Sequence, residues 1–375
     1  MRIYKKQNVY DAAIERITWL FQEFEEVIVS VSGGKDSTVC FELAMEVAKK
    51  LNRLPLKVFF IDQEAEWNST IEQIKYWMYD KDVEPYWLQV PIKLFNATSD
   101  KDDWLYCWDP AEVDKWIHPH DPISIKENIY KTDRFHQMFR NFVNVEFKDK
   151  RVANVSGVRG EESPNRLTAL THYAVYKGAT WGNVVNKKKE RFSFYPLYDW
   201  SYTDVWKAIH ENGWRYCTLY DQQYQYGVSV HNMRLSNVHH ETAVQNLFYL
   251  QEVEPETYAK LTRRLDGIDT AGKLGADDYF IYELPFMFDS WKEYRTHLLE
   301  NLIEEPKNRR ALQAKFDSND RDLGEELGVR KYHVQINSIL THDYEGIKMH
   351  NLWGNMRGRD ARRKNKLLKD SVGKL

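Results

Sequence analysis

The fold is decided by residues 27–37, which read Val-Ile-Val-Ser-Val-Ser-Gly-Gly-Lys-Asp-Ser. The first five are nearly all β-branched, which predicts a buried parallel strand. After the turn, apolar residues at positions 39, 43, 47 and 51 have the spacing of a helix packed on a sheet. A strand, a glycine-rich turn and a helix direct backbone N–H groups and a helix N-terminus towards one point. This turn is therefore predicted to bind an anion such as phosphate.

The individual residues of the turn suit a phosphate group. Gly33 and Gly34 permit close backbone approach, Lys35 adds a positive charge, and Ser32 and Ser37 carry hydroxyl donors. The spacing G-x-x-x-x-G-K-[ST] of a Walker A motif is missing. An ordinary Gly-Gly turn before a helix is the alternative, and the strand that precedes the turn disfavours it. We expect a nucleotide site of a different kind.

Composition limits the class of protein. The chain has 375 residues, of which 42% are hydrophobic and 29% charged, as in globular proteins of one large domain plus a smaller one, or of two domains. The net charge of −3 excludes a uniformly basic nucleic-acid binder. No apolar run approaches the ~20 residues that span a bilayer, and no signal-peptide core follows the N-terminus. We expect a cytoplasmic protein without a membrane partner.

The rest of the first half alternates strands and helices. This alternation predicts a parallel sheet with right-handed crossovers, whose ligands lie beyond the carboxyl ends of the strands. Ser32, Asp62 and Glu64 fall at those ends. The further predicted elements are a helix at 8–26, a strand at 56–61, a helix at 69–79 with its N-cap at Asn68 or Ser69, and a strand at 84–90.

Two further segments shape the predicted domain organisation. Residues 95–150 are rich in Trp and Pro and contain a helical stretch near 133–143, so they are predicted to form an insertion over the strand ends that could act as a lid. After residue 235 helical patterns dominate and no further strand–helix–strand unit follows. We therefore predict a nucleotide-binding domain at 1–235 and a mainly helical domain at 236–375.

Three segments, in order, resemble one family. Residues 32–37, 157–166 (Gly-Val-Arg-Gly-Glu-Glu-Ser-Pro-Asn-Arg) and 196–221 (Pro-Leu-Tyr-Asp-Trp through Asp-Val-Trp to Leu-Tyr-Asp) match its patterns S-G-G-x-D-S, G-[IL]-R-x-x-E-S-x-x-R and P-L-x-x-W-x-x-x-D-V-W…L-Y-D. This is the phosphoadenosine phosphosulfate reductase-like branch of the ATP pyrophosphatase (PP-loop) superfamily. The resemblance implies the adenine nucleotide alpha hydrolase-like fold, a parallel twisted sheet with helices on both faces.

The resemblance also implies ATP or a related adenine nucleotide, with Mg²⁺, and gives roles to residues. Arginine suits the expected phosphate contacts because its planar fork pairs two oxygens. Glu161 and Glu162 could instead form an ion pair with Arg166 at a helix start. The implied nucleotide contacts are Ser32, Gly33, Gly34, Lys35, Asp36, Ser37, Asp62, Gly157, Arg159 and Arg166, with Lys35, Asp36 and Arg159 catalytic and Asp36 and Asp62 as metal ligands.

The chain also departs from the family. The reductases end in a Glu-Cys-Gly segment with the nucleophilic thiol, whereas this chain ends in Val-Gly-Lys-Leu. Where cluster-bearing relatives have paired cysteines, this chain has Ser229 and Asn232, which cannot ligate iron as thiolates do. The three cysteines, Cys40, Cys107 and Cys217, form no C-x-x-C pair and no disulfide framework. We expect no iron–sulfur cluster and no thiol-dependent reduction.

Two functions remain open at this point. In the first, ATP is cleaved between its α- and β-phosphates, an unknown acceptor is adenylylated, and pyrophosphate leaves. In the second, the nucleotide gates a regulator whose C-terminal domain contacts DNA or a protein. The C-terminal layout resembles the subgroup that includes the Ibr-type co-activators, which work with a ParB-like partner.

Histidines provide weak candidates for a metal site. His239 and His240 are adjacent and so do not face one way on a helix, and residues 118–121 (His-Pro-His-Asp) read first as a loop.

The C-terminal tail is basic. Residues 356–375 contain eight basic and two acidic residues, a net charge of +6 on a chain of net charge −3. Such a run is either a solvated tail or a contact to nucleic-acid phosphates. The candidate contacts are Arg357, Arg359, Arg362, Arg363, Lys364 and Lys366.

If the tail contacts duplex DNA, affinity should fall steeply with salt, because each neutralised phosphate releases a counterion. Roughly four to six contacts give a log–log slope near −4 to −5. Truncation after Asn355 should flatten this slope in gel-shift titrations and leave ATP binding intact. Absence of DNA binding at low salt would end the nucleic-acid hypothesis.

Overall fold

The computed structural model describes residues 6–96, 104–171, 174–230, 233–235, 250–265, 283–322 and 329–340, together with 343, 344 and 346. The chain divides into two compact units. The first comprises Met1–Asn96 and Trp104–Leu265, and the second Ala97–Asp103 and Asp266–Leu375. Within the described ranges, every helix is too short or too polar to cross a membrane.

A six-stranded sheet forms the centre of the first unit. Its order is β3-β2-β1-β6-β8-β7, and all neighbours are parallel except the antiparallel pair β7 and β8. A separate hairpin joins β4 and β5. The strands are β1 Glu26–Ser30, β2 Leu56–Ile61, β3 Val83–Leu88, β4 Ile92–Phe95, β5 Trp104–Cys107, β6 Val152–Val155, β7 Gly182–Asn186 and β8 Arg191–Phe194.

Helices cover both faces of this sheet, which confirms the predicted α/β fold. Successive strand residues point to opposite faces. Phe60 therefore packs into the core with Trp87, while Phe59 packs on Phe142 of α4. The helices are α1 Val9–Glu23, α2 Lys35–Lys50, α3 Asn68–Met78, α4 Phe135–Glu146, α5 Pro164–Thr171, α6 Tyr202–Asn212, α7 Leu219–Tyr226 and α8 Pro255–Arg264.

The local elements agree with the sequence pattern, with small shifts at their ends. The strand predicted at 56–61 is confirmed residue for residue. The predicted N-cap of α3 at Asn68 or Ser69 is wrong, because the helix begins after Trp67. The Glu254 carboxylate accepts hydrogen bonds from the N–H groups of Asn68 and Ser69, so a residue remote in sequence replaces the local cap.

The segment 95–150, which was predicted to be an insertion over the strand ends, contains β5 and a helix in its described part. Its helix, α4, lies between β5 and β6 in the chain and buries Met138, Phe142 and Val143, of which Phe142 packs on Phe59 of β2. The predicted domain boundary, between residues 235 and 236, lies at the start of a range, 236–249, that is outside the described residues. In space, the first unit continues through Leu265.

The described elements of the second unit are three helices: α9 Trp291–Leu302, α10 Pro306–Asp322 and α11 Val329–Leu340. Their apolar faces form a small core that includes Leu299, Phe316 and Ile339. The guanidinium group of Arg295 is buried beside the Phe316 ring and hydrogen-bonds to Gln335. The predicted nucleic-acid contacts at 357–366, and His239 and His240, lie outside the described residues.

Candidate nucleotide-binding site

The turn after β1 has a backbone that requires glycine. Gly33 has a φ of +76°, and a Cβ there would lie 2.7 Å from Cγ2 of Thr70. Gly34 is the N-cap of α2 and supplies no capping side chain. Within the turn, the Ser37 hydroxyl donates to the Gly34 carbonyl at 2.8 Å and accepts the Ser32 N–H at 3.3 Å. These hydrogen bonds fix the backbone of the turn at the start of α2.

A second loop, after β6, touches the first through its backbone. A Cβ on Gly157 would lie 2.4 Å from the carbonyl oxygen of Asp36 and 3.0 Å from the Ser37 nitrogen. The two loops meet because β1 and β6 are neighbours in the sheet, with Val29 opposite Val155. Two motifs separated by some 120 residues in sequence therefore share one site.

A chain of charges crosses this junction. The Arg159 guanidinium donates through Nε to Oδ1 of Asp36 and through Nη1 to Glu161 at 3.0 Å. The other Asp36 oxygen lies 3.3 Å from Nζ of Lys35. Arg159 is only 5% exposed and Lys35 only 9%. Asp36 therefore holds two cations in place.

Tyr220 of α7 supports the same loop. Its hydroxyl accepts the backbone N–H of Lys35 at 3.1 Å, and the Lys35 ammonium lies 5.3 Å from the centre of its ring. Burial, reinforced by the Asp36 carboxylate, raises the pKa of Tyr220, so the hydroxyl keeps its proton. Sequence reasoning gave this residue no role, although it is the tyrosine of the Leu-Tyr-Asp segment.

These groups surround a cavity of about 800 Å³. Its walls combine both loops with α5, α7 and the residues that follow α7. The predicted site residues that line it are Ser32, Gly34, Lys35, Asp36, Ser37, Gly157, Arg159 and Arg166. Gly33 shapes the turn through its close approach to Thr70.

Two arginines carry positive charge into the cavity. Arg166 pairs with Glu162, the ion pair that the sequence offered as an alternative. Burial and the positive charge of Arg234 lower the pKa of Arg166. Arg234 was not among the predicted contacts. The sequence could have identified Arg234 by its position after α7, next to the positions at which cluster-bearing relatives have cysteines. An anion beside both arginines would relieve their repulsion.

Asp62, which was predicted to contact the nucleotide or a metal, is not among the described residues that line this cavity. It is fully buried, and its Oδ2 accepts hydrogen bonds from the indole of Trp87 at 3.0 Å and from the Gln89 amide at 2.9 Å. Its Oδ1 accepts the Glu64 N–H at 2.9 Å and lies 3.4 Å from Nε2 of His118. Asp62 instead organises the buried end of β2.

In the part of the chain that the structure describes, the two predicted Mg²⁺ ligands do not line one cavity together. Of the two predicted ligands only Asp36 lines the cavity, and both of its oxygens face cations. Among the described residues no group of three or more His, Cys, Asp or Glu side chains could hold a metal ion. His118, one of the histidines considered as a metal ligand, lies next to Asp62.

The cysteines lie apart from the cavity walls described above. Cys40, Cys107 and Cys217 are all buried, and none is among the described residues that line the cavity. Burial raises the pKa of Cys217 to about 12, which keeps its thiol protonated near neutral pH. A buried, protonated thiol is a poor nucleophile.

The comparison with known proteins agrees with this geometry. Residues 26–227, more than half of the chain, match the phosphoadenosine phosphosulfate reductase domain family, and the chain belongs to that family. Residues 227–345 match a second family, a domain of unknown function (DUF3440). The recognition of a reductase-like domain with an additional C-terminal domain is thereby confirmed.

Three individual proteins are similar to this chain at 30% identity or less. The uncharacterized protein YbdN of Escherichia coli is 30% identical over 81% of this chain and 78% of its own length. An adenosine 5′-phosphosulfate reductase of Lysinibacillus sphaericus is 23% identical over 59% of this chain and 79% of its own length. A solved structure of an FMN adenylyltransferase from Candida glabrata is similar with a TM-score of 0.36 at 16% identity, over 59% of this chain and 64% of that one. The chain therefore spans less than two thirds of that enzyme.

The contact between the loops predicts the effect of Gly157→Ala. The added methyl group would meet the Asp36 backbone, which cannot yield as a side chain can, so we expect a loss of about 1–3 kcal/mol in the free energy of unfolding. Urea denaturation of the full chain measures it. Gly178→Ala is the control, because its methyl group would enter open space and bring only the strain of a φ of +84°. A Gly157→Ala variant as stable as wild type would contradict the close approach.

Proposed function

We propose that this protein binds ATP or a closely related adenine nucleotide in the cavity formed by the two loops. It cleaves the nucleotide between the α- and β-phosphates and transfers the adenylyl group to an acceptor. The observation that carries this proposal is the backbone junction of Gly157 with Asp36, which brings a helix N-terminus, Lys35 and Arg159 to one cavity. Such a cluster of N–H groups and cations suits the phosphates of a nucleotide.

The proposed roles follow from the charges and hydroxyl groups of the cavity. Lys35 and Arg159 would stabilise negative charge on the departing pyrophosphate, since contacts with Asp36 hold both of them at the cavity. Ser32 and Ser37 would donate hydroxyl hydrogen bonds to phosphate oxygens. In the transfer, a nucleophilic atom of the acceptor bonds to the α-phosphorus. The bond from that phosphorus to the bridging oxygen breaks, and its electron pair leaves with pyrophosphate.

The residues of the cavity indicate only the charge of the acceptor. Arg166 and Arg234 both line the cavity, and their proximity is the reason that the pKa of Arg166 is lowered beyond the effect of burial. This surplus of positive charge favours an acceptor, or a further part of the nucleotide, that carries an anionic group. Mg²⁺ would arrive with the nucleotide phosphates, and no protein carboxylate set is assigned to it.

Calorimetry with ATP and Mg²⁺ on the full chain tests binding. Lys35→Ala should weaken affinity roughly ten- to hundredfold, the value of one charge-assisted hydrogen bond to phosphate. Lys207→Ala, which removes an exposed lysine of α6, should bind as wild type does. Pyrophosphate release would support the transfer reaction. Tight binding without release would favour a nucleotide-gated regulator with a ParB-like partner, and a wild type that binds neither ATP, AMP nor a sulfonucleotide would refute the proposed site.

The proposal also predicts that thiols are dispensable, because no described cavity wall carries one. A Cys40→Ser, Cys107→Ala, Cys217→Ser variant that folds as judged by circular dichroism should keep its nucleotide-dependent activity. Cys217→Ser alone should likewise keep the activity. An iron–sulfur absorption band in the purified protein, or complete loss of activity on replacement of Cys217 alone, would contradict this prediction.

A further inference from the structure

A short helix outside the reductase-family match is attached to the nucleotide-binding unit by two buried charges. Residues 250–265, which contain α8, lie within the DUF3440 match at 227–345 and beyond the reductase match, which ends at 227. They nevertheless belong to the first compact unit. Glu254 precedes the helix and Arg264 ends it, and both side chains point into the unit.

Glu254 caps the N-terminus of α3. Its carboxylate accepts hydrogen bonds from the N–H of Asn68 at 2.8 Å and from the N–H of Ser69 at 2.9 Å. It also accepts a hydrogen bond from the Ser69 hydroxyl. The Thr257 hydroxyl, 2.8 Å away, fixes the orientation of the carboxylate. Trp67, the residue in the N-cap position, does not make the capping hydrogen bond. A negative charge here satisfies free N–H groups and complements the helix dipole.

The start of α3 is in turn a wall of the phosphate-binding turn. Thr70 is completely buried, one residue after the capped Ser69. Its methyl group occupies the space that a Cβ of Gly33 would need, with a separation of 2.7 Å. A shift of the first turn of α3 would therefore move the surface against which Gly33 rests.

Arg264 fixes the other end of the same connection. The turn between β2 and α3 contains Glu64, a fully buried residue with a φ of +61°. Arg264 pairs with both Glu64 oxygens, at 2.5 and 3.1 Å, and also contacts Glu112. Residues 254 and 264 thus hold the two ends of one turn, at the sheet edge where ligands of such folds bind.

We propose that Glu254 is a positioning residue for the nucleotide site and acts through α3 on the phosphate-binding turn. The inference rests on the proposed function for its effect on affinity, although its structural part can be measured without nucleotide. The segment 250–265 is then a component of the nucleotide site contributed by the second family. Because coupling is reciprocal, bound nucleotide should also protect residues 250–265 from hydrogen exchange.

The test compares Glu254→Gln with Glu256→Gln in the full chain. Both variants replace a glutamate by its amide, but Glu256 is exposed on α8. The first variant should accelerate amide exchange at 68–70 and at 33–37 in the free protein and should weaken ATP binding roughly five- to thirtyfold, as loss of a charged cap predicts. Glu254→Asp should restore part of the affinity, and the control should match wild type.

Four outcomes are distinguishable. Faster exchange at both 68–70 and 33–37 together with weaker ATP binding supports the positioning role. Changes confined to residues 250–265 and to overall stability, with exchange at 33–37 and affinity unchanged, would overturn it. If wild type does not bind ATP, the proposed function fails, and the exchange at 33–37 still decides the inference. If Glu254→Gln does not fold, Ser69→Ala should give smaller shifts in the same direction, and no shift there would likewise overturn the proposal.

Discussion

The site depends on one constraint, the contact between two backbones where Gly157 passes Asp36. No side chain fits between them, so the loops after β1 and β6 act as a single surface. The parallel pairing of these strands brings the loops to the same sheet edge. Because the contact is between main-chain atoms in a packed interior, it fixes the loops more firmly than a pair of flexible side chains could.

The charges of the cavity hold one another in place. Asp36 lies between Lys35 and Arg159, and burial of these groups is tolerable because each has an oppositely charged neighbour. Tyr220 adds a neutral hydroxyl at the first N–H of α2. Such an arrangement needs little rearrangement to receive a phosphate, which is the physical basis of electrostatic preorganisation. Among the described residues that line the cavity there is no cysteine.

Buried polar contacts hold the end of β2 and the turn that follows it. Asp62 binds Trp87 and Gln89, while the turn that follows is fixed by Arg264 and Glu254 from α8. Satisfied polar groups in a low-dielectric interior specify one arrangement, because any displacement leaves a donor or a charge unpaired. The segment around α8 is for this reason an integral part of the first unit.

The sequence by itself determined the parts of this protein that depend on neighbours in the chain. Alternation and β-branching located the strand at 56–61, and the spacing of apolar residues after the glycine turn located the helix that follows it. Tertiary structure alone decided which partners several polar residues have. Asp62 turned inwards to buried donors, Arg234 entered the cavity wall, and Glu254 replaced a local cap. Each of these outcomes depends on a partner distant in sequence, and residue type and spacing carry no information about such a partner.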